Sequence, residues 1–210
     1  QIDFNKLSLD LFLLLLRSLK NNVLSQEARY KVAKTSYFKG DFEWSQVQLD
    51  VLKKSASQLI ANDAMQLSLM IRDNSLEDST QTALKKFARA DLLALQNKDV
   101  AAIAALDEIL LNHKGEKIED EVLLKQAKIY EKISRLDKAE ANYLKLIEYY
   151  KEDILADDAF FHLAKLYENK LAQPEKAKEY YEQIIYDFAD SIYFVEARKR
   201  FRMLRGDAIE

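Results

Sequence analysis

Asp158 and His162 stand four residues apart in the run LADDAFFHLAKLYE. On a helix that spacing puts a carboxylate and an imidazole on one face, where they can supply two metal ligands. No third ligand accompanies them, and His113 lies far off in sequence. The expected role is therefore hydrogen bonding in a groove or on a surface, with no metal. A second concentration of charge is Arg198, Lys199, Arg200, Arg202 and Arg205. Such a cluster suits phosphate or anionic lipid. Cations also suit a helix C-terminus and a solvated terminal helix, and that is the expectation taken here. Other chemistries lack their residues. Without Cys there is no thiolate nucleophile, no disulfide and no Cys-ligated metal. The chain has no Gly-rich phosphate loop, no nucleophile elbow and no HExxH run. Its many carboxylates fall on solvated helix faces and give no acid–base signal. The sequence thus predicts no catalysis, no cofactor and no small-molecule substrate.

The elements that position these residues follow from composition. The chain has 210 residues, enough for one or two domains or one repeat array. It is 49% apolar and 32% charged, so a sizeable core is compatible with a well-solvated surface. A net charge of -3 argues against a dedicated nucleic-acid binder, which carries a basic excess. Three Gly and one Pro are too few for hairpins, so long helices with tight connections are expected.

The stretch Glu121–Arg205 writes one pattern twice. Ala127 and Tyr130 recur as Ala164 and Tyr167, and Ala139 and Tyr143 recur as Ala177 and Tyr181. A repeat made of two amphipathic segments signals a helical solenoid. Earlier copies are Ala33–Ser45–Leu49–Leu52 and Ala90–Ala102–Leu106–Ile109. Two antiparallel helices that cross tightly need small residues at the crossing, and large residues a turn away then fill the space beside it.

The predicted helix pairs span 25–53, 118–151 and 154–188, with an irregular stretch over 59–112. Ser25 is expected to cap the first helix. Gly40 is expected at the first turn, Pro174 at a first helical position, and a capping helix over 191–205. Leu76 to Asn97 reads as one long helix, with Ser79 and Thr80 as alternative start signals. Phe4 to Leu19 is the most apolar segment. It is too short for a membrane span and carries Asp10, so residues 1–22 read as the second helix of a truncated repeat. Opening on Gln1 rather than Met, the sequence reads as a processed or truncated piece.

These four copies in register resemble the tetratricopeptide repeat (TPR) family. The resemblance covers roughly Ser25 to Gly206 and is fullest over Glu121 to Ser191. It departs from the family pattern in three ways. No Trp stands at the first signature position. Lys151 and Ala189 stand where the family ends a helix with Pro, and the turn Gly survives only as Gly40. The resemblance implies a single all-α, right-handed TPR-like α-solenoid with a C-terminal capping helix, of about ten or eleven helices. The segment ADSIYFVEARKRF is also similar to bacterial envelope proteins of outer-membrane assembly and cell-wall coordination. The wording as a whole is similar to uncharacterised TPR proteins of Bacteroidota. That narrower likeness implies a periplasmic or outer-membrane setting ahead of a cytoplasmic one.

In the family, first helices line a concave groove that holds a partner segment. The resemblance carries Tyr30, Phe87, Leu124 and Phe161 to one groove position, and Lys34, Lys128 and Lys165 to another, with Tyr37 beside them. The expected function is a non-catalytic scaffold whose basic, partly aromatic groove takes an acidic or apolar protein segment. The rival expectation is an envelope assembly subunit that self-associates, or contacts membrane, through Phe4–Leu19. The family's two-carboxylate clamp is not matched, since Tyr30 and Lys34 stand where Lys and Asn are expected.

Overall fold

With so few helix breakers the described residues are mostly helical. The computed structural model describes residues 23–55, 58–75 and 80–207. Among them are ten helices and no strand: α1 Val23–Lys39, α2 Phe42–Ser55, α3 Gln58–Asp73, α4 Thr82–Leu95, α5 Asp99–Asn112, α6 Ile118–Lys132, α7 Leu136–Tyr149, α8 Ala156–Asn169, α9 Pro174–Asp187 and α10 Phe194–Arg205. Consecutive helices pack in pairs, which gives an all-α, TPR-like solenoid architecture. The predicted Phe4–Leu19 helix lies outside the described residues. The chain divides between Asn97 and Lys98 into two units.

In the first unit α1 and α2 form the expected pair. Ala33 and Ser45 are fully buried where they cross. The approach is close enough for the Ser45 hydroxyl to donate to the Ala33 carbonyl at 2.9 Å. Leu49 and Leu52 fill the adjoining space. The irregular stretch resolves into α3, which packs on α2 and touches α1, and α4, which packs on α1. Two local expectations need correction. Ser25 is no cap, because it lies inside α1 and is buried there. The long helix predicted from Leu76 begins later, at Thr82, after Gln81 takes a left-handed conformation at φ 54° that an α-helix cannot include.

In the second unit α5 to α10 pack each on the next. First helices sit between neighbours and bury a broad face. In α8 that face comprises Ala156, Ala159, Phe160, Phe161, Leu163, Ala164, Leu166 and Tyr167. Second helices bury a stripe: Ala139, Asn142, Tyr143 and Leu146 on α7, and Ala177, Tyr181 and Ile184 on α9. The paired alanines Ala127–Ala139 and Ala164–Ala177 are all fully buried. Full enclosure of Tyr143 and Tyr181 contributes roughly 2–3 kcal/mol each. Each tyrosine must satisfy its hydroxyl inside the fold. Tyr143 donates to Glu131 at 2.6 Å and Tyr181 to Glu168 at 2.8 Å. The two tyrosines and the two glutamates occupy matching places in successive repeats.

The turns explain how the array does without the family's glycines. Gly40 has φ 76°, and the Asp41 N–H reaches back to the Ser36 carbonyl at 3.0 Å, closing a Schellman-type helix end. The same left-handed backbone recurs at Asn97 (φ 58°), Ser134 (φ 60°) and Ala172 (φ 52°), none of them Gly. Arg135 N–H bonds the Tyr130 carbonyl at 2.8 Å, and Gln173 N–H bonds that of Tyr167 at 2.9 Å. Pro174 opens α9, where its missing N–H is not needed. The capping helix expected over 191–205 starts later: α10 begins at Phe194, and the Ser191 hydroxyl accepts from the Tyr193 N–H at 3.0 Å in the preceding turn.

Candidate protein-binding face

In the first unit Tyr30 is half-buried on α1. Burial, with Asp63 and Asp91 nearby, pushes its phenol up to about 12. Lys34 is partly exposed, with its ammonium 5.9 Å above the Phe38 ring. Tyr37 corrects the groove reading at its position. It is wholly enclosed, its ring 5.3 Å from Phe38 and 5.9 Å from Phe42, because it points into the crossing of α1 and α2. Phe87 is likewise packed inside, at 4% exposure. The fourth copy of the lysine position carries Asp91, one residue after Ala90, so the charge pattern is broken there.

The second unit brings the remaining residues together. Leu124 and Phe161 belong to one buried cluster and present little surface. Lys128 on α6 and Lys165 on α8 are exposed. The Lys128 ammonium lies 3.4 Å from Asp158, and that of Lys165 sits 5.5 Å over the Phe161 ring. Tyr193, from the turn before α10, stacks on Phe161 at 4.2 Å with the rings 14° from parallel, and donates its hydroxyl to Asp158 at 2.9 Å. The neighbouring Asp157 accepts from Ser191 at 2.6 Å. Thus the first turn of α8 ties down the connection to α10. Nothing in the local pattern marked Tyr193, because its partners lie 32 and 35 positions back.

His162 and Asp158 do share a face, 3.8 Å apart. Asp158 is already engaged by Lys128 and Tyr193, and His162 stacks on Tyr143 at 6.0 Å. Burial depresses the imidazole to about 4; Lys128 and Lys165 lower it further, and Asp158 acts against them. His162 is therefore neutral at pH 7. Glu121, one repeat earlier at the Asp158 position, is pushed up to about 8 by burial, aided by Asp120 and Asp158 and opposed by Lys128 and Lys125. These groups make a strip of mixed charge along α6 and α8, flanked by stacked aromatic rings. It is suited to reversible hydrogen bonding and ion pairing.

A cleft between α2 and α3 is lined partly by Gln46, Lys53, Ser68 and Arg72. Its polar groups satisfy one another. Lys53 donates to Ser68 at 3.0 Å, Ser68 to Gln46 at 2.6 Å, and Gln46 back to the Ser68 carbonyl at 2.8 Å. Among the described residues no helix is long and apolar enough to cross a membrane.

Helix pairs nested on small residues, stacked so that successive first helices share a face, define a helical-repeat protein of the solenoid class. Residues 121–153 and 158–191 match the family model of the tetratricopeptide repeat, which supports a tetratricopeptide repeat protein. These spans cover most of α6 and α8 and all of α7 and α9, the pairs with the fullest repeat signature. Repeats of this family generally mediate protein–protein interaction and are typically non-catalytic. No curated protein and no solved structure matches the chain, so the narrower envelope likeness finds no support there.

Proposed function

We propose that this protein is a non-catalytic scaffold that holds a partner protein segment along the α6–α8 strip of its second unit. The observation that carries the reading is the pair Lys128 and Lys165. They occupy one equivalent position on successive first helices, both are exposed, and the stacked Phe161–Tyr193 rings lie beside them. The Lys128–Asp158 contact is long and partly solvated, with side chains 41% and 20% exposed. An exposed pair of that kind contributes little to stability, so an incoming carboxylate can take over the lysine at small cost. The favoured occupant is an acidic segment with an apolar residue to lay against the rings. Leu124 supports the strip from inside rather than touching the partner.

The test is binding to an array of acidic, apolar and basic peptides. The parent should select acidic–apolar sequences. Lys128→Glu with Lys165→Glu should abolish that selection while leaving the helical signal intact. Undiminished binding by the reversed variant would sink the reading.

A further inference from the structure

The basic cluster near the C-terminus reads in sequence as a solvated helix end. Its three-dimensional setting adds apolar side chains to the same face. On α10 the buried Ala197 marks the inward side, with Phe201 and Leu204 partly buried beside it. By helical spacing Val195, Lys199, Arg202 and Met203 fall on the opposite side. Val195 is 78% exposed and Met203 52%, and Ile192, in the turn leading into the helix, is 73% exposed. Arg198 and Lys199 are exposed too. The acids close by are already engaged elsewhere. Glu196 accepts from Arg200 at 2.8 Å, and Asp207 from Arg205 at 2.8 Å. Among the described residues neither Arg198 nor Lys199 has an ion pair. Arg200, Arg202 and Arg205 pair with Glu196, Glu168 and Asp207, which leaves Arg198 and Lys199 as exposed cations beside exposed aliphatic groups.

We propose that the outward face of α10 is a docking surface for an anionic lipid membrane. Interleaving decides between occupants. At the α6–α8 strip the apolar element is one stacked pair of rings, whereas here the exposed aliphatic groups are spread along the helix among the cations. Side chains such as Ile192, Val195 and Met203, left in water between cations, suit a surface offering phosphates above an apolar layer. The contact is peripheral and reversible, because a few cations and a few aliphatic groups fall short of stable anchoring. Its cations stand on α10, whereas the lysines of the strip stand on α6 and α8, so substitutions can address the two contacts one at a time.

The experiment is co-sedimentation of the full chain with phosphatidylcholine vesicles, with or without about a third phosphatidylglycerol. Anionic vesicles should bind roughly tenfold more protein than neutral ones, and raised salt should release it. Arg198→Glu with Lys199→Glu, and separately Val195→Asp, should each remove most of the binding. Lys128→Glu with Lys165→Glu should leave it unchanged. All these side chains are exposed, so circular dichroism should report an unaltered fold. Equal binding to both vesicle types, or binding that survives the α10 substitutions, would overturn the proposal. So would capture by soluble polyglutamate without capture by vesicles, which would assign the face to an acidic protein.

Discussion

Among the described residues four that are not glycine hold the left-handed conformation that Gly40 holds freely, and relieving two of them should stabilise the protein. Ser134 and Ala172 have φ of 60° and 52°. An L-residue pays about 1–2 kcal/mol for that backbone, because its Cβ crowds the following carbonyl. Glycine removes the clash but gains freedom in the unfolded chain worth about 0.5–1 kcal/mol. The difference leaves a net gain of about 0.5–1 kcal/mol for Ser134→Gly and again for Ala172→Gly. Both side chains are exposed, so no packing is lost. The turn bonds from Arg135 and Gln173 are backbone to backbone and survive the change. Urea unfolding should show each midpoint raised at an unchanged slope, with the double variant higher still. Gly40→Ala should move the other way by about 1 kcal/mol, since its new Cβ meets left-handed strain and lies 3.2 Å from the yielding Lys85 side chain. Midpoints at or below the parent for both glycine variants would refute the claim that these turns are strained.

Other consequences are equally direct. Ala139→Arg or Ala177→Arg should cost about 3 kcal/mol or more by overpacking and charge burial at fully closed crossings, read as a fall in melting temperature. Tyr143→Phe should lose about 1–2 kcal/mol by leaving Glu131 without its donor, and Tyr181→Phe should do the same to a lesser degree because Arg200 also donates to Glu168 at 3.2 Å. His162 is depressed to about 4 against an ordinary value of 6.5, so the unfolded chain binds the extra proton first. Stability should fall as pH drops through that window, and His162→Gln should flatten the loss in melts at stepped pH. Glu121 is shifted the opposite way, from 4.5 to about 8, so its contribution is present at low pH and lost as pH rises through that range. Glu121→Gln should therefore gain stability relative to the parent at alkaline pH.

Much of the architecture was legible because solenoid contacts are local. The alanine and tyrosine spacings located the stretches that form α6–α7 and α8–α9, and the Ala–Ala crossings are buried as the spacing demands. The irregular stretch was legible only as irregular. Its outcome, α3 on α2 and α4 against α1, depends on packing between helices whose local patterns look alike. At the candidate face, repeat register located Lys128, Lys165 and Phe161. It did not foresee that Tyr37 would be enclosed, because equivalence in sequence does not specify how deeply each copy sinks. Nor did it show Tyr193, whose ring arrives from a turn 32 positions after the Phe161 it covers.

Residue types and intervals by themselves determined a protein made of paired helices, free of cysteine chemistry and assembled from small-residue crossings, since those properties follow from composition and a short period. Tertiary structure alone decided which carboxylates meet which tyrosines, which histidine is forced neutral, and which cations stay uncompensated beside exposed aliphatic groups. Burial and charge pairing are properties of neighbours brought together by packing, and side chains from separate helices and turns have no common pattern to betray that they will meet.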